Sequence, residues 1–414
     1  MDPEPSSSEI TYAYEADSLS SARLGLTQRS ACRSFPISGG HYGFGDALPK
    51  DETQASAFLR QHPEFDGRGV TIAIFDSGVD PAAAGLQRTP DGRPKVLDIV
   101  DCTGSGDVDM STEISADDEG YLASPLTGTR MRVQPDWRNP SGKWRVGCKR
   151  LFDVFTKPLR ERIKAHRARG WEEAQRLLVN GAHEQLAAFQ RQPQAQQQGE
   201  EGRRQQAELE GRIKLLQDLQ AQHEDLGPVI DCVVWHDGIV WRAALDTRQL
   251  YWDPLRPERV DPRGLLESAP ALTNYRLERQ FGTFSAEDSL NYVLNIYDNG
   301  RTLSIVTDCS PHGTHVAGIA AAHHPESPDV NGVAPGAQII SCKIGDHKLG
   351  SMETGLGLTR AVAACLENKC DLVNMSYGEA SHTPNRGRFV SLVEELVYKA
   401  GSVAVLTRGC AALP

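Results

Sequence analysis

The sequence predicts an α/β protein built on a parallel sheet that is flanked by helices and interrupted by a long mixed helical and β insertion. Residues 70–75 form a continuous apolar run, as expected of a strand that is covered on both faces. After Thr302, apolar strand segments alternate with helical segments of about 10–15 residues, which is typical of a parallel sheet. Between these two parts lies a long polar stretch, residues 102–300, that lacks this rhythm.

The composition is that of a globular chain whose partners are neither nucleic acid nor lipid. The 414 residues are 39% hydrophobic and 24% charged, which is enough to bury a sizeable core. The formal net charge of -11 argues against nucleic acid or an anionic membrane as the main partner. No apolar run approaches the ~18 residues of a membrane-spanning helix, and the acidic, serine-rich start lacks the features of a secretory signal.

The cysteines indicate a reducing compartment. There are nine of them, an odd number, and none forms a C-x-x-C pair, although Cys365 and Cys370 lie close together in sequence. We therefore expect free, mostly buried thiols and a cytoplasmic localisation.

The first hundred residues divide into a tail and the start of the sheet domain. Residues 1–45 are rich in Ser and Gly, show no helical or strand period, and are predicted to form a disordered tail. Residues 46–101 are predicted to form the first part of the sheet domain. They contain a short helix, a turn at Asp66-Gly67 and the buried strand Val70–Phe75.

Residues 102–300 are predicted to be an insertion between the two parts of the sheet domain. Its first segment is rich in turns, and residues 159–226 are charged, Gln-rich and helical. The tract "QRQPQAQQQGE" separates two helices, and Asp237-Gly238 predicts the turn of a β-hairpin. An apolar stripe at three- and four-residue steps marks the second helix: Leu209, Ile213, Leu216 and Leu219.

Residues 301–406 are predicted to complete the sheet domain, and residues 407–414 form a divergent end. The predicted strands are "LSIVTD", "AQIISCKIG", "CDLVNMSYG" and "SVAVL". The predicted helices are Pro311–Ala322, Glu353–Asn368 and Arg388–Ala400.

Two candidate catalytic side chains fall at the carboxyl edge of this sheet, where ligands gather in parallel α/β folds. Asp76 ends the first strand, and His312 opens the helix that follows "SIVTD". Ser310 is a suitable N-cap, and Pro311 suits the first helical turn. A carboxylate beside an imidazole fixes its tautomer and stabilises the imidazolium, as a general base requires.

Other interpretations of these residues lack supporting motifs. An Asp at the end of a strand could bind a ribose in a nucleotide-binding α/β protein, but neither G-x-G-x-x-G nor a phosphate-cradling loop is present. His312 and His315 could suggest a metal, but there is no third ligand at suitable spacing. Each residue alone could also be structural. We expect no metal and no cofactor.

Two motifs carry a family resemblance. "IAIFDSGVD" and "HGTHVAGIAA" resemble the aspartate and histidine signatures of subtilisin-like serine proteases, and Asp precedes His as in that family. The match extends to a branch of large cytosolic exopeptidases that release tripeptides. Residues 48–400 resemble the N-terminal catalytic region of that branch, including the long insertion and three further segments: "LDIVDCTGSGDVD", "SMETGLGLTRA" and "VNMSYGEA".

The resemblance implies a subtilisin-like fold and acyl-transfer chemistry without a cofactor. Asp76 would orient the base and His312 would be the base. The implied substrates are oligopeptides with a free N-terminus, and the implied assembly is a homo-oligomer.

The resemblance also implies a set of substrate-binding residues. Glu353 and Glu379 match the acidic residues that hold the free amino terminus, while the backbone of Ser376, Tyr377 and Gly378 would pair with the peptide as an added strand. Without the resemblance, Glu353 could merely favour a helix start, Glu379 could be loop surface, and Gly378 could merely end a strand.

The sequence departs from the family at the nucleophile. A "GTSxA/S" serine and an "AGN" oxyanion donor are absent; "GTRM" and "GTFS" precede His312, and Ser402 and Cys410 are not followed by a helix. We therefore expect a fragment or truncated form that is inactive alone and prone to aggregate, with the sheet incomplete on its C-terminal side. The alternative is a non-catalytic peptide-binding or subunit-interaction protein that retains the cleft.

Overall fold

A computed structural model describes residues 48–191, 193, 199–248, 250, 266, 269–284, 288–378, 386–398 and 401–406. The predicted disordered tail and the divergent end lie outside these residues. The helices are α1 (Ala55–Gln61), α2 (Lys157–Gln190), α3 (Glu200–Gln222), α4 (Tyr275–Glu278), α5 (His312–Ala321), α6 (Gly355–Glu367) and α7 (Arg388–Tyr398).

The strands are β1 (Thr71–Asp76), β2 (Val96–Asp101), β3 (Asp107–Asp109), β4 (Thr112–Ser115), β5 (Tyr121–Ala123), β6 (Arg130–Arg132), β7 (Lys143–Arg150), β8 (Val229–His236), β9 (Trp241–Leu245), β10 (Gly282–Thr283), β11 (Asn291–Tyr297), β12 (Thr302–Val306), β13 (Gln338–Lys343), β14 (Leu372–Met375) and β15 (Val403–Leu406). Short 3-10 turns lie at Leu151–Asp153, Asp298–Gly300, Pro328–Val330 and His347–Leu349.

Five strands form the predicted parallel sheet. Their order is β15-β14-β1-β13-β2, and every neighbouring pair is parallel. The predicted α/β class is therefore confirmed. Strand β2 was not predicted from the sequence, although it occupies one edge of this sheet. Asp76, Lys343 and Asp101 lie in register across three strands, so their carboxyl ends share one edge.

Helices cover both faces of the parallel sheet. On one face, Ala73 and Phe75 pack in a core with residues of α6 and α7, such as Ala361 and Leu396. On the other face, Ile72 and Ile74 pack with α5. Burial on both sides explains why β1 is apolar throughout instead of alternating.

The prediction that "LSIVTD" belongs to the parallel sheet was wrong. Strand β12 pairs antiparallel with β11 and β3, in a separate sheet of order β10-β11-β12-β3. The cause is the short connection between β11 and β12, in which Asp298, Asn299 and Gly300 have positive φ. Such a turn allows a hairpin, whereas a parallel pair needs a crossover of a dozen or more residues. Asn299-Gly300 was the available sequence signal.

This antiparallel sheet lies between two cores. Leu303 and Ile305 of β12 pack into the core of the insertion, together with Leu151 and Val154. The next residue, Val306, packs into the core beneath α5. Strand β12 therefore physically joins the insertion to the parallel-sheet domain.

Residues 102–300 also contain two long helices and a β-hairpin. Helices α2 and α3 are separated near the Gln-rich tract and contact each other, with Gln175 Nε2 donating to the Leu216 carbonyl at 2.6 Å. Strands β8 and β9 form the predicted hairpin, and the Asp237 carboxylate accepts two backbone hydrogen bonds in its turn. Within the described residues, no helix has the length and apolarity to cross a membrane.

A buried ion pair stabilises the carboxyl edge of the sheet. The Lys343 ammonium lies 3.4 Å from the Asp101 carboxylate and donates to Ser105 Oγ at 3.0 Å. Burial alone would raise the pKa of Asp101, but the Lys343 charge and hydrogen bonds from Thr103 and Gly106 lower it below its usual value. Removing one partner would leave the other charge buried and unpaired.

We therefore expect Lys343→Met to lower the free energy of unfolding by about 3–5 kcal/mol. The double substitution Lys343→Met, Asp101→Asn should lose markedly less, because it leaves no uncompensated charge. Urea denaturation at neutral pH measures both values. A single variant within about 1 kcal/mol of the unsubstituted chain would contradict the importance of this pair.

A buried histidine makes stability depend on pH. Burial, assisted by the Lys343 charge, lowers the pKa of His347 from 6.5 to about 3. Asp101 and the Asp308 backbone oppose this shift, while Arg160 adds to it. Between pH 6.5 and about pH 3, the unfolded chain binds a proton at His347 that the folded chain does not. The free energy of unfolding therefore falls as the pH falls through this range.

From pH 7 to pH 5 this one group should remove about 2 kcal/mol of stability. His347→Gln should therefore lose about 2 kcal/mol less than the unsubstituted chain over that interval, as measured by urea denaturation at both pH values. His62→Gln, which removes an imidazole that is 46% exposed, is the control and should follow the unsubstituted chain. Parallel pH profiles for all three proteins would refute the assignment to His347.

Candidate active site

Asp76 is held rigidly at the end of β1. Its side chain is fully buried, and its backbone carbonyl accepts a hydrogen bond from the Ile344 amide at 2.8 Å. One carboxylate oxygen also accepts from the Ser77 amide at 2.7 Å. The strand thus fixes both the position and the orientation of this carboxylate.

The structure brings His312 against Asp76, although they lie 236 positions apart in the chain. His312 Nδ1 lies 2.8 Å from Asp76 Oδ1 and 3.0 Å from Oδ2. The imidazole is 49% exposed whereas the carboxylate is fully buried. With Nδ1 bound to the carboxylate, Nε2 is the nitrogen that can exchange a proton with a ligand.

The start of α5 sets the position of His312. Helical geometry begins at Pro311, with φ -72 and ψ -5, and the helix itself begins at His312. Ser310 Oγ accepts a hydrogen bond from the His312 amide at 3.2 Å, which satisfies one of the unpaired amides of the first turn.

Ser77 joins β1 to α5, a role that the sequence analysis missed. Its hydroxyl donates to the Ser310 carbonyl at 2.8 Å and accepts from the Gly313 amide at 2.9 Å. Its own carbonyl accepts from the Cys309 amide at 2.8 Å. The signal was the small polar residue that directly follows the strand in "FDSG". Ser77 therefore fixes the distance between the strand that carries Asp76 and the helix that carries His312.

Gly313 permits this close approach. A Cβ at this position would lie 2.2 Å from the Gly78 carbonyl oxygen and 3.0 Å from Asp76 Cβ. Any larger residue would therefore push α5 away from β1 and separate the imidazole from its carboxylate.

Tyr377 lies beside the pair, at the end of the neighbouring strand. Its ring packs edge-to-face with His312, with centroids 6.4 Å apart. Burial raises the pKa of the Tyr377 phenol, and so do the Cys309 thiol and the Asp76 and Glu353 carboxylates nearby. The phenol is therefore a neutral hydrogen-bonding group at physiological pH.

The sequence predicted that Glu353 begins a helix, but Glu353 precedes the helix in the structure. Helix α6 begins at Gly355, and Thr354 is its N-cap, accepting from the Gly357 amide at 3.0 Å. Thr is the better cap because its hydroxyl is held close to the backbone. Glu353 is half-buried just before this cap, with its carboxylate near the Tyr377 phenol.

The other predicted substrate-binding residues differ in their exposure. Ser376 is half-buried and donates from its hydroxyl to Asn374 Oδ1 at 3.0 Å, while Gly378 is exposed. Glu379 lies outside the described residues. His315, which the sequence raised as a metal ligand, belongs to no metal-binding group among the residues described.

Two further carboxylates, Asp80 and Asp308, interact with each other. Asp80 accepts from the Asn291 side-chain amide at 2.9 Å, and its own amide donates to Thr314 Oγ1 at 2.9 Å. Burial and the Asp80 charge raise the pKa of Asp308 to about 6. Asp80, Asn291 and Asp308 line a cavity of about 340 Å³ between the insertion and the sheet domain.

The chain is similar to known proteins over most of its length. Residues 67–409 match the Subtilase family. Tripeptidyl-peptidase 2 from Arabidopsis thaliana is 52% identical over 362 residues, which cover 87% of this chain and 26% of the relative. Tripeptidyl-peptidase 2 from Caenorhabditis elegans is 34% identical over 363 residues, covering 87% of this chain and 25% of the relative.

A crystal structure of tripeptidyl peptidase 2 (TPP II) superposes with a TM-score of 0.61 at 30% identity, covering 84% of this chain and 26% of that one. The chain therefore spans about a quarter of the length of the relatives that it matches. The sequence match and the common fold, together with the Asp-His pair, lead to one assignment. The chain belongs to the subtilase family of serine proteases and within it is similar to tripeptidyl-peptidase 2.

Proposed function

We propose that this chain is the Asp- and His-bearing part of a serine exopeptidase that releases tripeptides from free N-termini of oligopeptides. The observation that carries the proposal is the hydrogen bond of 2.8 Å between the buried Asp76 carboxylate and the half-exposed imidazole of His312. The names of the relatives supply the tripeptide specificity.

In this reaction His312 Nε2 accepts a proton from a seryl hydroxyl as the hydroxyl attacks the peptide carbonyl, and returns it to the leaving amine. Asp76 stays ionised, keeps the Nδ1 proton in place and stabilises the imidazolium that forms. The 414 residues contain no serine in the family's nucleophile pattern. We therefore propose that they do not hydrolyse peptides by themselves.

Glu353 and Glu379 are proposed to bind the substrate's ammonium group. The support for Glu353 is that it is half-buried and that its charge raises the pKa of the Tyr377 phenol, whose ring packs against His312. A carboxylate at a fixed distance from the base limits how many residues fit between the amino terminus and the scissile bond. Each such charge-assisted hydrogen bond contributes roughly 1.5–3 kcal/mol.

The segment that follows β14 is proposed to bind the substrate backbone. Ser376, Tyr377 and Gly378 continue from this strand at the carboxyl edge, beside His312. The exposed Gly378 leaves room for a peptide to approach as an added strand.

A second candidate function is peptide binding or subunit interaction without catalysis. It is favoured by the half-buried Glu353 and the exposed backbone at Gly378, since binding a peptide at these proposed residues needs no nucleophile. Homo-oligomerisation and a cytoplasmic location are further proposals, the latter supported by the free thiols of the seven described cysteines.

Peptide binding tests whether Glu353 holds the amino terminus of the substrate. A tripeptide with a free N-terminus should bind more tightly than its N-acetylated form, as measured by isothermal titration calorimetry. Glu353→Gln should weaken binding of the free tripeptide about 10- to 100-fold, because a charge-assisted hydrogen bond is lost. Glu367→Gln, at the exposed end of α6, is the matched control. Equal affinities for the free and the acetylated tripeptide would refute the proposed binding of the amino terminus.

Catalysis is tested in a chimera that continues this chain with the remaining sequence of the Arabidopsis relative. The chimera should cleave a tripeptide-amide reporter and react with a fluorophosphonate, whereas the 414 residues alone should do neither. Asp76→Asn should lower kcat of the chimera by about 10⁴, because the imidazole then adopts the wrong tautomer. An inactive but folded chimera, or a fall in kcat of less than about tenfold, would contradict the proposed roles.

A further inference from the structure

We infer that the turn formed by residues 151–155 of the insertion positions His312, and that Thr307 is the positioning residue through which it acts. The inference rests on the proposed function, since it assigns the turn a part in orienting the proposed base. It gives the long insertion a specific contribution to the active site.

The argument starts from the path of the chain into His312. Strand β12 belongs to the antiparallel sheet, whereas α5 packs on the parallel sheet. Residues 307–311 are the short connector between these two bodies, so its two ends determine where the imidazole lies. At the far end, the Ser310 carbonyl accepts a hydrogen bond from Ser77. The near end is held by the insertion.

Thr307 makes that second attachment. Its side chain is 3% exposed, and its hydroxyl donates to the Val154 carbonyl at 2.6 Å. Val154 is fully buried, as are Leu151 and Phe155 on either side, in the core of the insertion. The connector is thus fastened to a rigid part of the insertion.

His347 extends the same attachment to the loop that leads to Glu353. Its Nε2 lies 3.5 Å from Thr307 Oγ1. Because the hydroxyl proton is donated to Val154, the Thr307 oxygen is the acceptor and Nε2 is the donor. In the same 3-10 turn, Lys348 Nζ lies 3.4 Å from Asp153 Oδ2. One turn of the insertion therefore contacts both the connector to His312 and the loop before Glu353.

The buried imidazole of His347 is not the side chain that stability alone would favour at this position. Among the residues described, His347 Nδ1 is buried without a hydrogen-bond partner. An unsatisfied buried nitrogen destabilises a fold, and an apolar side chain of similar shape would avoid this. A buried polar contact that lowers stability is consistent with a role in positioning the connector to His312.

Proton exchange at His312 tests the inference. Thr307→Val keeps the shape of the side chain but removes the hydroxyl, and Thr307→Ser restores it. The readout is the low-field NMR resonance of the His312 Nδ1 proton in the full chain, identified by its loss in Asp76→Asn. We expect its exchange with water to become about tenfold faster in Thr307→Val, as the hydrogen bond to Asp76 loosens, and to return to normal in Thr307→Ser.

Ser402→Ala is the matched control. Ser402 is also buried and donates its hydroxyl to a backbone carbonyl, that of Cys370, at 2.7 Å. It should lose comparable stability but leave proton exchange unchanged. Equal exchange rates in Thr307→Val and Ser402→Ala, or absence of the resonance from the unsubstituted chain, would overturn the inference. The NMR experiment measures no turnover. Its result therefore tests the role of Thr307 whether or not the proposed peptidase function is correct.

Discussion

The hydrogen bond between the Asp76 carboxylate and His312 Nδ1 is the constraint on which the site depends. Fully burying a carboxylate requires partners that replace water, and Asp76 has the Ser77 amide and the His312 imidazole. The imidazole must reach this buried group while remaining half-exposed to a ligand. The fold satisfies both demands by placing the start of α5 at the carboxyl end of β1, so that the half-exposed imidazole covers the buried carboxylate.

Small residues make that placement possible. Gly313 lets the first turn of α5 approach Gly78 closely, and the Ser77 hydroxyl, which follows β1, bonds twice to the start of α5, at the Ser310 carbonyl and the Gly313 amide. The same sequence features therefore serve packing and chemistry. A side chain at Gly313 would press on Gly78 and Asp76 and therefore change the Asp76–His312 distance.

The sequence was informative where local pattern and local structure coincide. The apolar run of β1 and the cap at Ser310 were predictable because burial on two faces and the first helical turn each have a direct signature. Strand β12 was misplaced because an apolar strand has the same composition in a parallel and an antiparallel sheet, and the Asn299-Gly300 turn was overlooked. The bond from Thr307 to Val154 could not be predicted, since a backbone acceptor 153 positions away leaves no trace in residue identity.

These observations change how the insertion should be understood. Residues inserted between the catalytic Asp and His of a family could form an appendage that leaves the site untouched. Here, however, β12 has Leu303 and Ile305 in the core of the insertion and Val306 in the core beneath α5. The chain cannot reach His312 without passing through the insertion's own sheet. The connector that carries the imidazole is consequently attached to both bodies, through Thr307 to the insertion and through Ser310 to the strand that carries Asp76.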